Sequence, residues 1–468
     1  MTFEDDVRAV ARQIQDADAV TVISHIDADG ITSEAIMMQA CMDAGIPAQS
    51  VFVRQLEPMT MKYVPEDCSL KVFIDLGGAG QQNLLEERGG MGTEDVAIID
   101  HHVAQNVETP YLQANGHPYG YTQLSAAGVG YLVAKEMNPP GHPHLGVLAQ
   151  NAVVGNVGDM MAREHCGLTG PAREIAADGE RAGTIRIVPQ ELNCYGISTR
   201  PLRVCLTFSD DPFIPGISNN ELKTEAFLRK LGIEERTSGG RQQVWEDLDQ
   251  DEKSAIINGL AQQMLATGQD ISRLLAEHYI FPNEAKGTPL RNASEYATML
   301  NACGRWAKPR VGGSAVCAGD RAQAYREGEE MLRHHKRIIR EMMEHILDTG
   351  TTALSHMQHI HVGDRFPDTI VGIGGAGMAL SKLDYEKPIM ILCYLNDDPD
   401  LVKVSMRTNT RMVERGGVDL QAALITASEE IGGGGGGHKI AAGAYIPRNA
   451  EEGGFAERVN RIIAKQRN

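Results

Sequence analysis

Five aspartates and three histidines stand directly behind apolar or small-residue runs in the first 159 residues. Val96-Ala97-Ile98-Ile99 leads into Asp100-His101-His102, Ala19 to Ser24 into His25-Ile26-Asp27-Ala28-Asp29-Gly30, and Leu70 to Ile74 into Asp75. Asp159 closes a helical stretch with small residues around it, Gly155-Asn156-Val157-Gly158. Any one of these acids alone reads as an N-cap or turn residue. Together they would repel one another strongly unless cations sat among them. A calcium loop does not fit: with Gly30 at its sixth position, His25 falls at the first and Ile36 at the twelfth, where acids are required. Carboxylates mixed with imidazoles and no thiolate suit Mn²⁺ or Mg²⁺ better than structural zinc. The number of groups suits two ions sharing a carboxylate and a water, and such a pair serves phosphoester or phosphoanhydride hydrolysis.

Apolar runs of four to six residues ending in these groups read as buried strands, and helical periodicity returns between them. Alternation of this kind predicts an α/β fold with a mostly parallel sheet, whose sites lie at the C-terminal strand ends. The expected organisation is a first domain over 1–165, a helix-rich charged insertion over 166–290 and a return to the first domain over 291–319. A spacer helix over 320–349 and a smaller α/β domain over 350–468 complete it, with strands at Thr369-Ile370-Val371, 389–395 and 401–406.

At 44 basic against 62 acidic residues the net charge is −18, which excludes a protein coated in basic patches and leaves room only for a local basic groove. The eight cysteines show no C-x-x-C pair and are expected as thiols in a cytoplasmic chain. The acidic start, Met-Thr-Phe-Glu-Asp-Asp, has no apolar signal region, and no stretch has the roughly 18 apolar residues of a membrane span.

The four clusters His25-Ile26-Asp27-Ala28-Asp29-Gly30, Asp75, Asp100-His101-His102 and Asp159 resemble, in order and spacing, the motifs of the DHH phosphoesterases. Gly435-Gly436-Gly437-His438-Lys439-Ile440-Ala441-Ala442-Gly443 resembles the signature of the DHHA1 domain, taken as the substrate-binding domain of such chains. The resemblance implies that His25 and Asp27 hold one Mn²⁺ or Mg²⁺ ion and that Asp29, His101 and Asp159 hold a second. It makes Asp75 the bridge, Asp100 an orienting group and His102 the contact to the scissile phosphate. Asn301-Ala302-Cys303-Gly304-Arg305 and Ser405-Met406-Arg407 resemble elements of the RecJ-type single-strand exonucleases, and the overall plan is similar to the archaeal RecJ-like nucleases that associate with the GINS replication complex. The function so implied is 5′-to-3′ digestion of single-stranded DNA in replication or repair, with RNA as a further substrate. The alternatives are a phosphodiesterase for short oligonucleotides or cyclic dinucleotides, and a non-catalytic replication scaffold.

Substrate contacts are expected from Arg305, Ser405, Arg407 and His438, and from the backbone of Gly436 and Gly437 approaching phosphate. Arg305, Trp306, Lys308 and Arg310 form a basic-aromatic cluster that reads equally as a strand contact or a surface loop. Gly372-x-Gly374-x-x-Gly377 formally matches a dinucleotide fingerprint after a strand, but without a strand-helix-strand unit ending in an acid. His359 and His361 read as a solvated strand face, and His334-His335-Lys336-Arg337 as the solvated side of the spacer helix.

Overall fold

The computed structural model describes residues 2–56, 60–78, 82–87, 90–103, 109–209, 211–313, 321–372, 383–396, 398, 400–414, 416–449 and 454–467. The chain divides into two compact units, 1–329 and 330–468.

In the first unit, α1 (Phe3–Gln15) precedes β1 (Val20–Ser24), α2 (Ala28–Asp43), β2 (Ala48–Phe52) and β3 (Leu70–Ile74). Next come α3 (Gln82–Glu87), β4 (Val96–Asp100), β5 (Leu112–Asn115), α4 (Ala126–Met137) and α5 (Leu145–Gly158). The five strands form a wholly parallel sheet ordered β2-β1-β3-β4-β5. β1, β3 and β4 are buried along their whole length, which is why their sequences are continuous apolar runs and not alternating ones. In this order the chain leaves β1 to opposite sides, so a crevice opens at the carboxyl ends of β1 and β3.

α6 (Gly170–Arg181), β6 (Arg186–Leu192), α7 (Leu202–Thr207), α8 (Glu221–Lys230), α9 (Gln250–Ala266) and β7 (Leu275–Ile280) follow. β6 and β7 pair antiparallel, so the stretch expected as helix-rich also carries a small sheet of its own. Pro189 and the charged residues of β6 broke the apolar alternation by which a strand is recognised. A separate core forms here around the fully buried Trp245, and it includes Cys194 and Cys205. The Cα atoms of these two cysteines are 6.4 Å apart, a spacing at which they can pair, where the sequence suggested isolated thiols. The eleven-residue spacing hid the pair, which α7 brings together. α10 (Ala293–Arg305) then returns to pack on α5 and α2.

α11 (Arg321–Thr349) leads into the second unit, with β8 (Thr352–Ala353), β9 (Gln358–His361), α12 (Asp368–Ile370), β10 (Ile389–Tyr394) and β11 (Leu401–Arg407). α13 (Thr410–Glu414), α14 (Leu420–Glu429), β12 (Gly434–Gly437), β13 (Ala441–Pro447) and α15 (Phe455–Gln466) complete it. The sheet runs β12-β13-β11-β10-β9-β8, with β9 and β10 parallel and the other pairs antiparallel. Val402, Val404 and Met406 share its core with Leu420, Leu424 and Phe455. Thr369-Ile370-Val371 is not a strand: Pro367 precedes a helical turn that starts at Asp368, overriding the β-branched run. No strand therefore precedes Gly372, and the remainder of the Gly372–Gly377 loop lies outside the described residues, as do Ala315-Val316-Cys317. His359 and His361 are half-buried, not solvated. His361 accepts the Gly363 N–H at 2.9 Å and packs on Tyr394. Among the described residues, no helix is long and apolar enough to cross a membrane.

Candidate metal centre

The strand ends converge because β1, β3 and β4 are neighbours in register. His25 follows β1, Asp75 follows β3, and Asp100 closes β4. Asp75 adopts φ +59°, a left-handed conformation that Asp tolerates better than most residues, and its N–H donates to the Ile99 carbonyl at 3.0 Å. This turns its carboxylate back into the crevice. Oδ2 lies 3.2 Å from His25 Nδ1, and Oδ1 lies 3.2 Å from His101 Nε2.

Two ligand groups share Asp75 and His101 with a third, overlapping one of Asp75, Asp100, His101 and His102. His25, Asp27 and Asp75 form one, with His25 Nδ1 3.1 Å from Asp27 Oδ2. Asp29, His101 and Asp159 form the other, with His101 Nε2 3.5 Å from Asp159 and 3.8 Å from Asp29. α2 sets the first two acids: Asp27 is its N-cap and accepts the Gly30 N–H at 3.0 Å, while Asp29 lies in its first turn. Asp29 also accepts the N–H groups of Ala126 and Ala127, at 2.8 and 2.9 Å, from the start of α4. Asp159 caps the C-terminus of α5. All these groups offer oxygen or imidazole nitrogen within reach of common points, a donor set suited to hard divalent cations with some imidazole.

The protonation pattern reflects crowding. Burial and the neighbouring Asp75 push Asp29 well above the usual carboxylate range. Burial, reinforced by Asp27 and Asp75 against the opposing pull of His101, raises Asp159 to about 7. Burial works against charge on His25 and His101 as well, but the carboxylates around them outweigh it and hold both pKa values well above the ordinary imidazole. In the absence of cations the site thus keeps protons on acids and imidazoles together, which is the signature of too many negative groups in one low-dielectric pocket.

Asp100 is fully buried, and its oxygens are already engaged. Oδ2 accepts the Gly78 N–H at 2.7 Å, and Oδ1 accepts the His101 N–H at 2.7 Å and faces His102 Nδ1 at 2.7 Å. Burial opposes its charge, yet the bond to His102 prevails and lowers it to about 2; in return, His102 rises to about 9. With Nδ1 committed and the side chain 45 % exposed, His102 presents a cationic edge to whatever enters.

Asn301 and Gly304, which the sequence offered only through the resemblance of Asn301-Ala302-Cys303-Gly304-Arg305 and with no role attached, support the site from α10. Asn301 Oδ1 accepts the Ala28 N–H at 2.9 Å, and a Cβ on Gly304 would overlap the Ile26 carbonyl oxygen. α10 therefore presses on the backbone that carries His25, Asp27 and Asp29. The charge of Arg305, next in sequence, reaches Asp27 and helps to lower its pKa. Asn115, on a strand that the sequence did not reveal, donates to the His102 carbonyl at 2.9 Å.

In the second unit, Ser405, Gly443 and Gly436 form one cross-strand row on the sheet face opposite the helical core. A side chain at Gly436 would meet open space. Arg407 lies opposite Ala441, and an exposed His438 starts the β12–β13 turn at the same end. Ser405 itself is buried and donates to the Gly372 carbonyl at 2.7 Å.

Three domain models match the chain: the DHH family N-terminal domain over 19–151, the DHH-CID domain over 194–275 and the DHHA1 domain over 373–465. The chain belongs to the DHH/DHHA1 superfamily. Its fold is RecJ-like. RecJ from Thermus thermophilus in complex with Mn²⁺ shares 16 % identity at a TM-score of 0.57, over 98 % of this chain and 55 % of that one. A manganese-bound exonuclease RecJ shares 15 % at 0.52, over 99 % and 94 %, and CDC45 from Entamoeba histolytica shares 12 % at 0.63, over 99 % and 98 %. The chain thus spans about half the length of the Thermus RecJ. No curated protein matches it.

Proposed function

We propose that this DHH/DHHA1 chain is a metal-dependent phosphodiester hydrolase that digests single-stranded DNA from an end, with Mn²⁺ or Mg²⁺ as its two ions. The observation that carries this is Asp75, whose two carboxylate oxygens each face the histidine of a different ligand group. Held in those groups, divalent ions would supply an activated water near neutral pH and offset charge on the phosphate oxygens. The chain's own residues do the rest. Asp100 fixes the ring of His102 and keeps it cationic, so that it donates to a phosphate oxygen of the scissile group. Asn301 and Gly304 hold the loop of His25 and Asp27 in place. In the second unit, the glycine row with Arg407 and His438 offers close backbone approach and positive charge to a strand's phosphates. Ser405 supports this face through Gly372. The reading includes 5′-to-3′ polarity, action on RNA as a secondary substrate, and association with a GINS-type replication complex, all by similarity of plan.

Supplying equal nucleotide concentrations as a long single strand, a blunt duplex and a dinucleotide tests the substrate class. The long strand should be consumed fastest, to mononucleotides without internal fragments. Preference for the dinucleotide would replace this reading with a short-oligonucleotide phosphodiesterase.

A further inference from the structure

A second cluster of ligand-type side chains lies in the first unit, away from the strand ends. Asp43 is the last residue of α2, His144 is the N-cap residue of α5, and His142 lies two residues earlier. His144 Nδ1 is 2.9 and 3.1 Å from the two Asp43 oxygens, and His142 Nδ1 is 3.6 Å from Oδ2. The imidazoles meet edge to face, 5.3 Å between centroids. The turn that presents them is held by His142 N–H to Pro139 O and Leu145 N–H to His142 O, both at 3.1 Å.

An ordinary ion pair would need only Asp43 and His144, with Gln39 donating to Asp43 Oδ1 at 2.8 Å. It does not account for His142. Its Nδ1 is buried and has no hydrogen-bond partner, although the Asp43 carboxylate faces it. A buried imidazole nitrogen left unpaired is costly. Ligands about 2.0–2.1 Å from a tetrahedral ion lie roughly 3.3–3.4 Å from one another, so the His142–Asp43 contact at 3.6 Å is near that spacing, while the His144–Asp43 contacts at 2.9 and 3.1 Å are hydrogen-bond distances that would open slightly around an ion. The side chain of Asp43 is nearly buried, and it sits at the C-terminal, electronegative end of α2, which favours a cation.

We propose that Asp43, His142 and His144 form a second metal site, for a borderline divalent ion such as Zn²⁺, with water completing the shell. Unlike the carboxylate-rich strand-end groups, this set is two-thirds imidazole, which shifts the preference from Mg²⁺ or Mn²⁺ toward such an ion even without a thiolate. The placement assigns it a structural role. α2 runs from Asp27 and Asp29 to Asp43, and α5 runs from His144 to Asp159. The two helices pack together. An ion at this end ties them about 20 Å from the candidate metal centre, given 1.5 Å of rise per residue. It would thereby fix the alignment of ligands that both helices carry at their other ends.

Zn²⁺ equivalents retained after dialysis, and the Zn²⁺-induced rise in thermal midpoint, test this in the 468-residue His101→Ala chain, where the other centre has lost a ligand. Against that background, His142→Ala with His144→Ala should retain one equivalent fewer and lose the rise; Asp43→Asn should do the same. Co²⁺ should give intense visible absorption that both changes remove. His142→Gln with His144→Gln serves as a second pair should the alanine pair not fold. Equal equivalents and equal thermal shifts with and without the two histidines would overturn the proposal. None of these readings depends on hydrolytic activity.

Discussion

The side-chain oxygen of Asn301 accepts the backbone N–H of Ala28 at 2.9 Å, joining residues 273 positions apart. Ala28 sits between Asp27 and Asp29, so this one bond steadies two candidate ligands. Asn301→Ala leaves the amide unpaired and should cost about 1–2 kcal/mol in denaturant unfolding. Mn²⁺ affinity should fall with it. Unchanged Mn²⁺ affinity in calorimetry would deny Asn301 its positioning role.

Gly304 makes the same point sterically. A methyl group there would overlap the Ile26 carbonyl, which lies between His25 and Asp27. Gly304→Ala should destabilise the chain by about 1–3 kcal/mol and weaken metal binding, as overpacking against backbone does. A thermal midpoint equal to that of the unmodified chain would show that α10 does not press on this loop.

These contacts explain what the sequence did and did not reveal. The apolar runs before His25, Asp75 and Asp100 made the three central strands legible, because a fully buried parallel strand leaves a continuous signature. The four residues of β5 have an exposed start and carry no such run. The gathering of the eight acids and histidines was legible from repetition alone. The grip of α10 was not, since it rests on tertiary contact within the first unit; Asn301 and Gly304 stood out only through the resemblance of Asn301-Ala302-Cys303-Gly304-Arg305, which gave them no role. In the second unit, Pro367 redirected a β-branched segment into a helical turn, and Gly434–Gly437 pair as an edge strand that no side-chain pattern could signal.

Metal binding should strengthen as pH rises. Asp159, raised to about 7, and Asp29, raised further from its ordinary range, must be carboxylates to act as ligands, and His25 and His101 must shed protons from their raised positions. Every one of these shifts makes protons competitors of the cation. Mn²⁺ affinity should therefore rise about tenfold or more per pH unit up to pH 7, with net proton release seen by calorimetry in buffers of different ionisation enthalpy. Affinity independent of pH, or proton uptake, would contradict this protonation pattern.

Asp100→Asn keeps the shape of the side chain and removes its charge. His102, held at about 9 by that charge against the effect of burial, should titrate closer to 6.5. Because its folded-state pKa is raised, the stability it contributes is full below about 6.5 and fades as pH rises through about 9, and the variant should lose this dependence. Hydrolysis should drop about a hundredfold while bound metal stays constant. Loss of metal in step with activity would instead make Asp100 a ligand.

The most direct test is hydrolysis of an end-labelled single-stranded oligonucleotide in Mn²⁺. The intact chain should release label, a chelator should stop it, and Asp29→Ala or His101→Ala should each reduce the rate at least about a hundredfold. No release by the intact chain, or undiminished release by either variant, would contradict the assignment of this centre to phosphodiester hydrolysis.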